Sequence, residues 1–428
     1  MREMKDSGIA WIGVIPQDWE IVRTKSLYCS AKEIVGDRAD DFERLALTLN
    51  GVIKRSKEDS VGLQPEKFSG YQILKKGELV FKLIDLENVA TSRVGLSPYT
   101  GIVSPAYIVL SKQSRAKDLV VRYSMYHFLS MWQREIFNQM GDNGVRSSLN
   151  TKELLNIPHP FPSIYEQKRI VTFLDAQCAE IDAVLEKTRA SIEEYKKLKQ
   201  AVITQAVTKG IRGDRPMKNS GIEWIGEIPA EWTASKIKYC TEFAPSCNTS
   251  HLSEDSLVTF TPMECIKNGY FENREAHFSA LSSSYTQYQD GDIVFAKVTP
   301  CFENGNIAIM QGLSAGVGFG SSELFVIRPQ SINTEFIFYY LQNDIFKQYA
   351  CATMTGTGGL KRVSPTFVRN YSVFIPCNEE QLEIVRYLNE KCSGIEVLIA
   401  KKQQYLTEIE NYKKSLIYEY VTGKKEVV

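Results

Sequence analysis

The expected fold follows from one motif, Ser7-Gly-Ile-Ala-Trp-Ile-Gly-Val-Ile-Pro-Gln-Asp-Trp19. It returns 213 positions later as Ser220-Gly-Ile-Glu-Trp-Ile-Gly-Glu-Ile-Pro-Ala-Glu-Trp232. Later anchors, such as Glu166-Gln167 with Glu380-Gln381, stand 214 positions apart in a chain of 428 residues. Solenoid repeats run about 20–50 residues, so a period of this length indicates a duplicated module. We therefore expect a pseudo-two-fold molecule whose partner or ligand has two matching halves.

The composition is that of an ordinary globular protein, with 43% hydrophobic and 24% charged residues. Its 51 basic and 51 acidic residues cancel, which is modest evidence against an isolated electrostatic DNA binder. Local basic surfaces, or a partner subunit that supplies phosphate contacts, remain compatible with zero net charge. Nine cysteines without a CxxC pair predict reduced thiols and a cytoplasmic location. We expect neither a signal peptide nor a membrane segment.

Each half is predicted to contain a mixed α/β region followed by one long helix. Matching turns at Lys76-Gly77 and Asp290-Gly291 each precede a short apolar strand, whereas the sequences between such anchors have diverged. The anchor motifs are therefore repeated, whereas the segments between them are not. The predicted fold class is α+β, with two globular domains joined by two long helices. The predicted segments are globular domains at 1–162 and 212–376, and helices at 163–211 and 377–428.

Both predicted helices carry an apolar stripe with heptad spacing, interrupted by lysines such as Lys199 and Lys413. Helices of this length cannot bury such a stripe alone, so packing of the two stripes on each other is the economical solution. The short linker 210–216 favours an antiparallel coiled coil. The alternative is two independent amphipathic helices, each docked on its own domain. The predicted coiled-coil core consists of Leu174, Ile181, Leu185, Ile192 and Val202 in the first helix and Leu388, Ile395, Ile399, Leu406, Ile409 and Leu416 in the second.

The repeated motif resembles the opening signature of target-recognition domains in type I restriction–modification specificity subunits. The same holds for Glu-Gln before a long helix that ends in Val421-Thr-Gly-Lys424 or, with the last two residues exchanged, Val207-Thr-Lys-Gly210. The resemblance covers the whole chain, in the order recognition domain, spacer helix, recognition domain, spacer helix. It implies that each domain reads one half of a bipartite double-stranded DNA target and that the helices set the gap between the halves.

The resemblance also implies partners and cofactors for the complex. Two methyltransferase subunits, one docked on each half, would bring S-adenosylmethionine. Motor–nuclease subunits would join for cleavage and use ATP and Mg. No cofactor and no membrane are expected for this chain itself.

The residues contain no pattern typical of an enzyme. The Asn-Pro-Pro-Tyr/Phe motif of adenine methyltransferases, a glycine-rich methyl-donor loop and a Walker-type phosphate loop are all missing from the sequence. The four histidines show no metal-ligand spacing, so no metal is expected. The chain is therefore predicted to be non-catalytic, which disfavours a single-chain DNA methyltransferase. The alternative non-catalytic function is a coiled-coil scaffold that organises protein partners without reading DNA.

Candidate DNA contacts lie on loops that carry cations, amides and hydroxyls. In the second half these are the turn 297–306 and the glycine-rich loop 353–362, whose counterpart in the first half is 141–148. The repeated tryptophans suit core packing or a docking surface better than base stacking. The predicted DNA-binding residues are Lys82, Arg93, Asn143, Arg146 and Ser147 in the first half and Lys297, Asn304, Asn306, Thr355, Thr357, Lys361 and Arg362 in the second.

Overall fold

The structure is a computed structural model, and it describes residues 2–59, 67–86, 92–140, 148–281, 284–356 and 359–427. The chain divides into two compact units: unit 1 comprises Met1–Arg189 and Gln404–Val428, and unit 2 comprises Ala190–Gln403. Each unit thus combines one globular region with parts of both long helices. Within the described ranges, none of the helices has the length and apolar character needed to cross a membrane.

Unit 1 contains a short hairpin, a strand pair and two four-stranded sheets. Its strands are β1 (Met4–Asp6), β2 (Val14–Pro16), β3 (Glu20–Arg23), β4 (Tyr28–Cys29), β5 (Arg44–Thr48), β6 (Gly51–Arg55), β7 (Gln72–Leu74), β8 (Leu79–Phe81), β9 (Val94–Leu96), β10 (Gly101–Val103), β11 (Ile108–Lys112) and β12 (Pro158–Phe161). Its helices are α1 (Thr24–Leu27), α2 (Val121–Gln133), α3 (Ile136–Met140), α4 (Thr151–Asn156) and the first part of α5 (Ile164–Lys209).

Unit 2 contains the same set of sheets. Its strands are β13 (Met217–Asn219), β14 (Glu227–Pro229), β15 (Thr233–Lys236), β16 (Thr241–Phe243), β17 (Leu257–Thr261), β18 (Glu275–His277), β19 (Thr286–Gln289), β20 (Ile293–Ala296), β21 (Ile307–Ile309), β22 (Val317–Gly320), β23 (Leu324–Pro329) and β24 (Ser372–Ile375). Its helices are α6 (Ile237–Cys240), α7 (Thr334–Gln342), α8 (Asp344–Ala352), α9 (Pro365–Asn370) and the first part of α10 (Asn378–Val421).

The two units share one topology. The sheet β6-β5-β10-β7 of unit 1 has a central parallel pair, and so does β18-β17-β22-β19 of unit 2. The sheets β4-β11-β8-β9 and β16-β23-β20-β21 are antiparallel throughout. The first strand after each repeated motif pairs with the last strand before each long helix, as β3 with β12 and β15 with β24. The duplicated mixed α/β module predicted from the sequence is confirmed.

The predicted turns at Lys76-Gly77 and Asp290-Gly291 lie at equivalent places, before β8 and β20. Both glycines have positive φ, 87° for Gly77 and 89° for Gly291, a region that L side chains rarely adopt. The Gly77 amide donates to Ser97 O over 2.8 Å, and the Gly291 amide donates to Met310 O over the same distance. Each turn therefore ties its strand to the neighbouring strand of the sheet.

The repeated motif forms a socket, which we call the helix-end socket, for the C-terminal end of a long helix. The motif positions that are identical and buried in both copies pack with apolar residues of that helix end, whereas exposed motif positions such as Ala10 and Glu223 differ. Trp19 and Trp232 are fully buried, which confirms core packing for these two tryptophans. The socket and its helix end comprise Ile12, Ile15, Trp19, Ile417 and Val421 in unit 1 and Ile225, Ile228, Trp232, Ile203 and Val207 in unit 2.

The glutamate of the Glu-Gln pair at the start of each long helix ties the helix to the same socket. In unit 2, Glu380 is buried and accepts from Arg215 Nη1 over 2.5 Å and from Trp232 Nε1 over 3.1 Å. In unit 1, Glu166 accepts from Arg2 and from Trp19 Nε1, the latter over 2.9 Å. The recurrence of this glutamate in the sequence therefore has a structural cause.

The predicted core positions of the two helices differ in burial. Leu174, Ile181, Leu185, Ile192, Leu388, Ile395 and Leu416 are buried, whereas Val202, Ile399, Leu406 and Ile409 are half-buried. Near the end of α5 the fully buried residue is Ile203, not Val202, and near the end of α10 Ile417 is more buried than Leu416. A straight α-helix drifts about 20° per heptad from a strict seven-residue repeat, so the buried face shifts along the helix.

Polar contacts join the two long helices within each unit. In unit 1, Lys413 Nζ lies 2.5 and 2.7 Å from the two carboxylate oxygens of Asp182. In unit 2, Lys199 Nζ lies 2.5 Å from Glu396 Oε1. Asp182 and Glu396 are equivalent by the offset of 214, as are the two lysines. Lys199 and Lys413, which interrupt the heptad stripes, are therefore ion-paired with the facing helix.

Candidate nucleic-acid interface

The two candidate loops of unit 2 lie against each other. The Val363 amide donates to Lys297 O over 2.8 Å, and the Thr299 amide donates to Lys361 O over 3.0 Å. In return, the Lys361 amide donates to Thr299 Oγ1 over 3.0 Å. These bonds bring Lys297, Lys361 and Arg362 together, although the two loops are separated by about 60 positions in the chain.

The glycine-rich loop closes as a narrow hairpin at its base. Thr355 and Arg362 exchange two backbone hydrogen bonds, of 3.1 and 2.9 Å. Gly356 has φ 145°, and a Cβ there would lie 2.3 Å from Leu360 O. Only glycine fits this crossing of the backbone. Thr355 and Lys361 are exposed, while Thr357 lies outside the described residues.

Glu323, which immediately precedes β23, organises the cations of this surface. Arg362 donates from Nε to Glu323 Oε2 over 2.9 Å and from Nη2 to Oε1 over 2.7 Å. Lys297 Nζ lies 3.9 Å from Glu323 Oε2 and 5.9 Å from the centre of the Phe325 ring. The hydrogen bond from Arg362 is the main cause that lowers the pKa of Glu323, so this carboxylate stays ionised.

A groove of about 650 Å³ opens beside this cluster. Cations, hydroxyls and an amide are side chains that contact phosphates and base edges. We call it the unit 2 groove, and its polar lining consists of Lys297, Thr353, Thr355, Arg362, Ser364, Thr366 and Asn370.

The two predicted asparagines of the 297–306 turn lie elsewhere in unit 2. Asn304 is exposed, and its backbone amide donates to Pro300 O over 3.0 Å. Asn306 is half-buried and lines a separate small cavity with Phe302 and Gln342. Its carbonyl accepts from the Ala296 amide over 3.0 Å, which fixes the turn onto β20.

In unit 1 the structure places the predicted residues differently. Asn143, Arg146 and Ser147 lie outside the described residues. Lys82 is half-buried, and its amide donates to Arg93 O over 3.1 Å. Arg93, predicted to contact DNA, is fully buried, so its side chain does not lie on the surface.

The Arg93 guanidinium donates hydrogen bonds to the loop that follows β8. Its Nη1 donates to Ile84 O over 3.0 Å, and its Nη2 donates to Asp85 O. Burial lowers the pKa of this guanidinium. Arg93 therefore supports the backbone of the loop from inside.

Unit 1 also has a groove of about 790 Å³, lined by the β5–β6 turn, α2 and segments of the long helices. Its cations Arg122, Arg189 and Lys413 contact Asp175, Glu410 and Asp182 at 2.6, 2.6 and 2.5 Å, respectively. Each of these three cations is neutralised by a carboxylate. The unit 1 groove is therefore similar in size to the unit 2 groove but differs from it in charge.

Sequence reasoning missed Glu323, because the search for DNA contacts considered cations, amides and hydroxyls. The signal that was available is its place beside Leu324-Phe-Val-Ile327, an anchor repeated from Tyr107-Ile-Val-Leu110. Among the described residues, no group of three or more His, Cys, Asp or Glu side chains is placed to hold a metal ion.

Comparison with known proteins places these features in context. The family profile described as "Type I restriction modification DNA specificity domain" matches residues 16–194 and 246–408. The chain is 33% identical over 189 residues to the type I restriction enzyme EcoEI specificity subunit of Escherichia coli. That match covers 42% of this chain and 32% of the relative, so it spans about a third of the relative's length.

Two further similarities extend over almost the whole chain. The first is to the type I restriction enzyme MjaVIII specificity subunit of Methanocaldococcus jannaschii, 23% identical over 427 residues, which covers 96% of this chain and 94% of the relative. The second is to a solved chain from work on complex assembly and conformational transition of the type I R-M system. It has a TM-score of 0.69 at 14% identity and covers 96% of this chain and 99% of the other. At that identity the likeness shows the fold alone.

Proposed function

The chain belongs to the family of type I restriction modification DNA specificity domains, and we propose that it is the DNA-recognition subunit of such a complex. Each globular region reads one half of a bipartite double-stranded target, and the chain itself is non-catalytic. The duplicated module carries this proposal, because its two copies keep one topology and one helix-end socket but differ in their loops. Two globular regions with the same topology and different loops suit a DNA target with two different halves.

The proposal includes an antiparallel coiled coil that sets the gap between the half-sites. Contacts within each unit support opposite helix directions. In unit 1, Asp182 contacts Lys413 while Arg189 contacts Glu410, and in unit 2, Tyr195 lies under Lys402 while Lys199 contacts Glu396. In both units the residue number falls along α10 as it rises along α5. A packed helix pair is a suitable spacer, because its length does not fluctuate as that of a loop would.

The proposal also includes two methyltransferase subunits, one docked on each half, which bring S-adenosylmethionine. Exposed apolar side chains at seven-residue multiples support helix docking: Val184 and Leu198 on α5, and Leu398, Tyr405 and Tyr412 on α10. Val184 matches Leu398 and Leu198 matches Tyr412 by the offset of 214. An apolar stripe at this spacing fits an amphipathic partner helix, and its recurrence fits two copies of one partner. Motor–nuclease subunits that use ATP and Mg complete the proposed cytoplasmic complex.

The test is methylation-sensitive sequencing of DNA from cells that carry this chain with its companion methyltransferase subunit. The control is a strain that lacks only this chain. We expect adenine methylation at one interrupted, two-part motif only when the chain is present. If the companion is folded and bound to the chain but no motif appears, DNA reading fails and the scaffold function replaces it.

A further inference from the structure

The guanidinium of Arg362 is held in one orientation by three separate segments of unit 2. Its backbone is paired on both sides with Thr355, at 3.1 and 2.9 Å. Its side chain forms the two parallel hydrogen bonds with Glu323 described above. The backbone of Glu323 is itself fixed, because the Lys297 amide donates to Glu323 O over 3.0 Å and the Glu323 amide donates to Ser321 Oγ over 3.2 Å.

The geometry leaves one edge of this guanidinium for another ligand. A guanidinium has five N–H donors in a planar fork. Glu323 accepts one from Nε and one from Nη2, so the Nη1 donors and the second Nη2 donor remain. These point away from the carboxylate along the end-on edge of the fork, and Arg362 lines the unit 2 groove with a side chain that is 48% exposed. An arginine edge with two parallel N–H bonds matches O6 and N7 of guanine in the major groove.

The local charge also suits a polyanion such as DNA. Lys297, Lys361 and Arg362 bring three positive charges to this surface, against the single negative charge of Glu323. Glu323 therefore orients Arg362 without cancelling the attraction for the phosphate backbone.

We propose that Arg362 reads a guanine in the half-site of unit 2 and that Glu323 is the positioning residue that orients its guanidinium. This inference rests on the proposed function of the chain and adds a base and two residues to it. It is specific to one half-site, because the pair is not repeated in the other copy.

The equivalent positions of unit 1 are identified by the sheet registers and backbone bonds. Phe81 pairs with Ile108 in unit 1 and Phe295 pairs with Phe325 in unit 2, which aligns Ala106 with Glu323. The Leu149 amide donates to Leu83 O as the Val363 amide donates to Lys297 O, which aligns Ser148 with Arg362. Alanine and serine cannot form such a fork, so the half-site of unit 1 is read by other contacts.

The experiment compares the full chain, with its companion methyltransferase subunit, as wild type, Arg362→Lys and Glu323→Gln. Arg362→Lys keeps the charge and loses the fork, and Glu323→Gln keeps the shape and loses the carboxylate. Methylation-sensitive sequencing reports the motif, and competition between duplexes that differ at one base pair reports the preference. We expect the preference for guanine at one position of a single half-site to fall about 5- to 150-fold in Arg362→Lys, with a smaller fall in the same position for Glu323→Gln.

The other half-site and the gap are internal controls and are expected to stay as in the wild type. Arg212→Lys is the matched variant, because Arg212 forms the same two-bond fork with Glu383, at 2.9 and 2.8 Å, at another exposed place in unit 2. It is expected to keep the wild-type motif. If Glu323→Gln unfolds at the same temperature as the wild type but has a weaker preference for guanine, Glu323 positions Arg362 and does not merely stabilise the fold.

The guanine contact is overturned if the complex with Arg362→Lys methylates the wild-type motif with unchanged base preference, whatever the result for Glu323→Gln. If Arg362→Lys relaxes the base but a folded Glu323→Gln does not, the positioning role of Glu323 is wrong. If Glu323→Gln fails to fold, Arg362→Lys alone decides the guanine contact, and Glu323→Asp, which retains the carboxylate, decides the positioning. A wild-type chain that directs no methylation would instead overturn the proposed function, which is a different result.

Discussion

At the scale of single residues, the recurring glutamate before each long helix is explained by a carboxylate that accepts hydrogen bonds from two neighbours. Glu380 accepts from both Arg215 and Trp232, and its side chain is 1% exposed. Glu166, its counterpart, is 19% exposed. Removing one partner of a buried ion pair leaves the other charge without compensation, which costs more than losing an exposed pair.

We expect Glu380→Ala to lower the free energy of unfolding by about 3 kcal/mol, because Trp232 Nε1 loses its acceptor and Arg215 loses its closest carboxylate. Glu166→Ala is expected to cost less, because water reaches that site. Urea denaturation measures both. Glu383→Ala is the control, because Glu383 lies on the same helix as Glu380 but forms an exposed ion pair, with Arg212. This variant should have no measurable effect. Equal losses in Glu380→Ala and Glu383→Ala would contradict the argument.

Two buried histidines of unit 1 predict a dependence of stability on pH. His127 and His159 have ring centres 4.5 Å apart, and burial lowers the pKa of His127 and lowers that of His159 to about 4. The unfolded chain, with an ordinary pKa near 6.5, binds protons more readily than the folded chain. Stability is therefore full above about pH 6.5 and is expected to fall as the pH drops from there towards about 4.

The matched variant is His127→Tyr with His159→Val, because Tyr340 and Val373 take these places in unit 2. Thermal unfolding of the wild type and the double variant between pH 7 and pH 4 measures the difference in slope. We expect a shallower loss of stability in the variant. The same slope in both proteins would show that other groups control the acid sensitivity.

At the scale of elements, the end of each long helix belongs to the core of a globular region. Ile417 and Ile203 are equivalent by the offset of 214 and both are fully buried, in unit 1 and unit 2, respectively. Truncation of a buried isoleucine removes apolar contacts and leaves a cavity. The helix ends are therefore structural parts of the recognition domains.

We expect Ile417→Ala and Ile203→Ala each to lower the free energy of unfolding by about 2–5 kcal/mol. Tyr412→Ala, on the exposed stripe of α10, is the control and should leave stability unchanged. Urea denaturation measures the stability of all three variants. In the proposed complex Tyr412→Ala should instead weaken binding of the companion methyltransferase subunit, measured by calorimetric titration. A destabilised Tyr412→Ala with normal partner binding would reverse these assignments.

At the scale of the whole molecule, the proposed function separates the two half-sites from the gap. The recognition loops belong to the globular regions, and the helices connect them. A change confined to the helices is therefore expected to alter the spacing of the target but not its bases.

We expect insertion of seven residues after position 190 of α5, together with seven after position 403 of α10, to lengthen the gap. Seven helical residues add about 10 Å, the length of about three base pairs. Methylation-sensitive sequencing measures the motif, and both half-sites should keep their bases. As the complementary variant, exchange of one globular region for that of a related subunit should change one half-site and keep the gap. An altered half-site in the insertion variant would contradict the spacer function.

Sequence patterns alone predict the duplication, the mixed globular regions, the two long helices and the family, because these depend on repeated motifs and on local periodicity. For the same reason the sequence predicts that Trp19 and Trp232 lie in the core or on a docking surface, and their burial places both in the core. The sequence also indicated which loops of unit 2 carry candidate contacts, as Lys297, Lys361 and Arg362 illustrate.

Which side chains contact each other depends on the tertiary fold. Burial of Arg93 depends on the backbone carbonyls that surround it, and these come from a loop whose path the sequence does not specify. The pairing of Arg362 with Glu323 joins residues 39 positions apart, and the contact between the two loops joins segments even further apart. Such contacts depend on sheet topology and register, which local sequence patterns constrain only weakly.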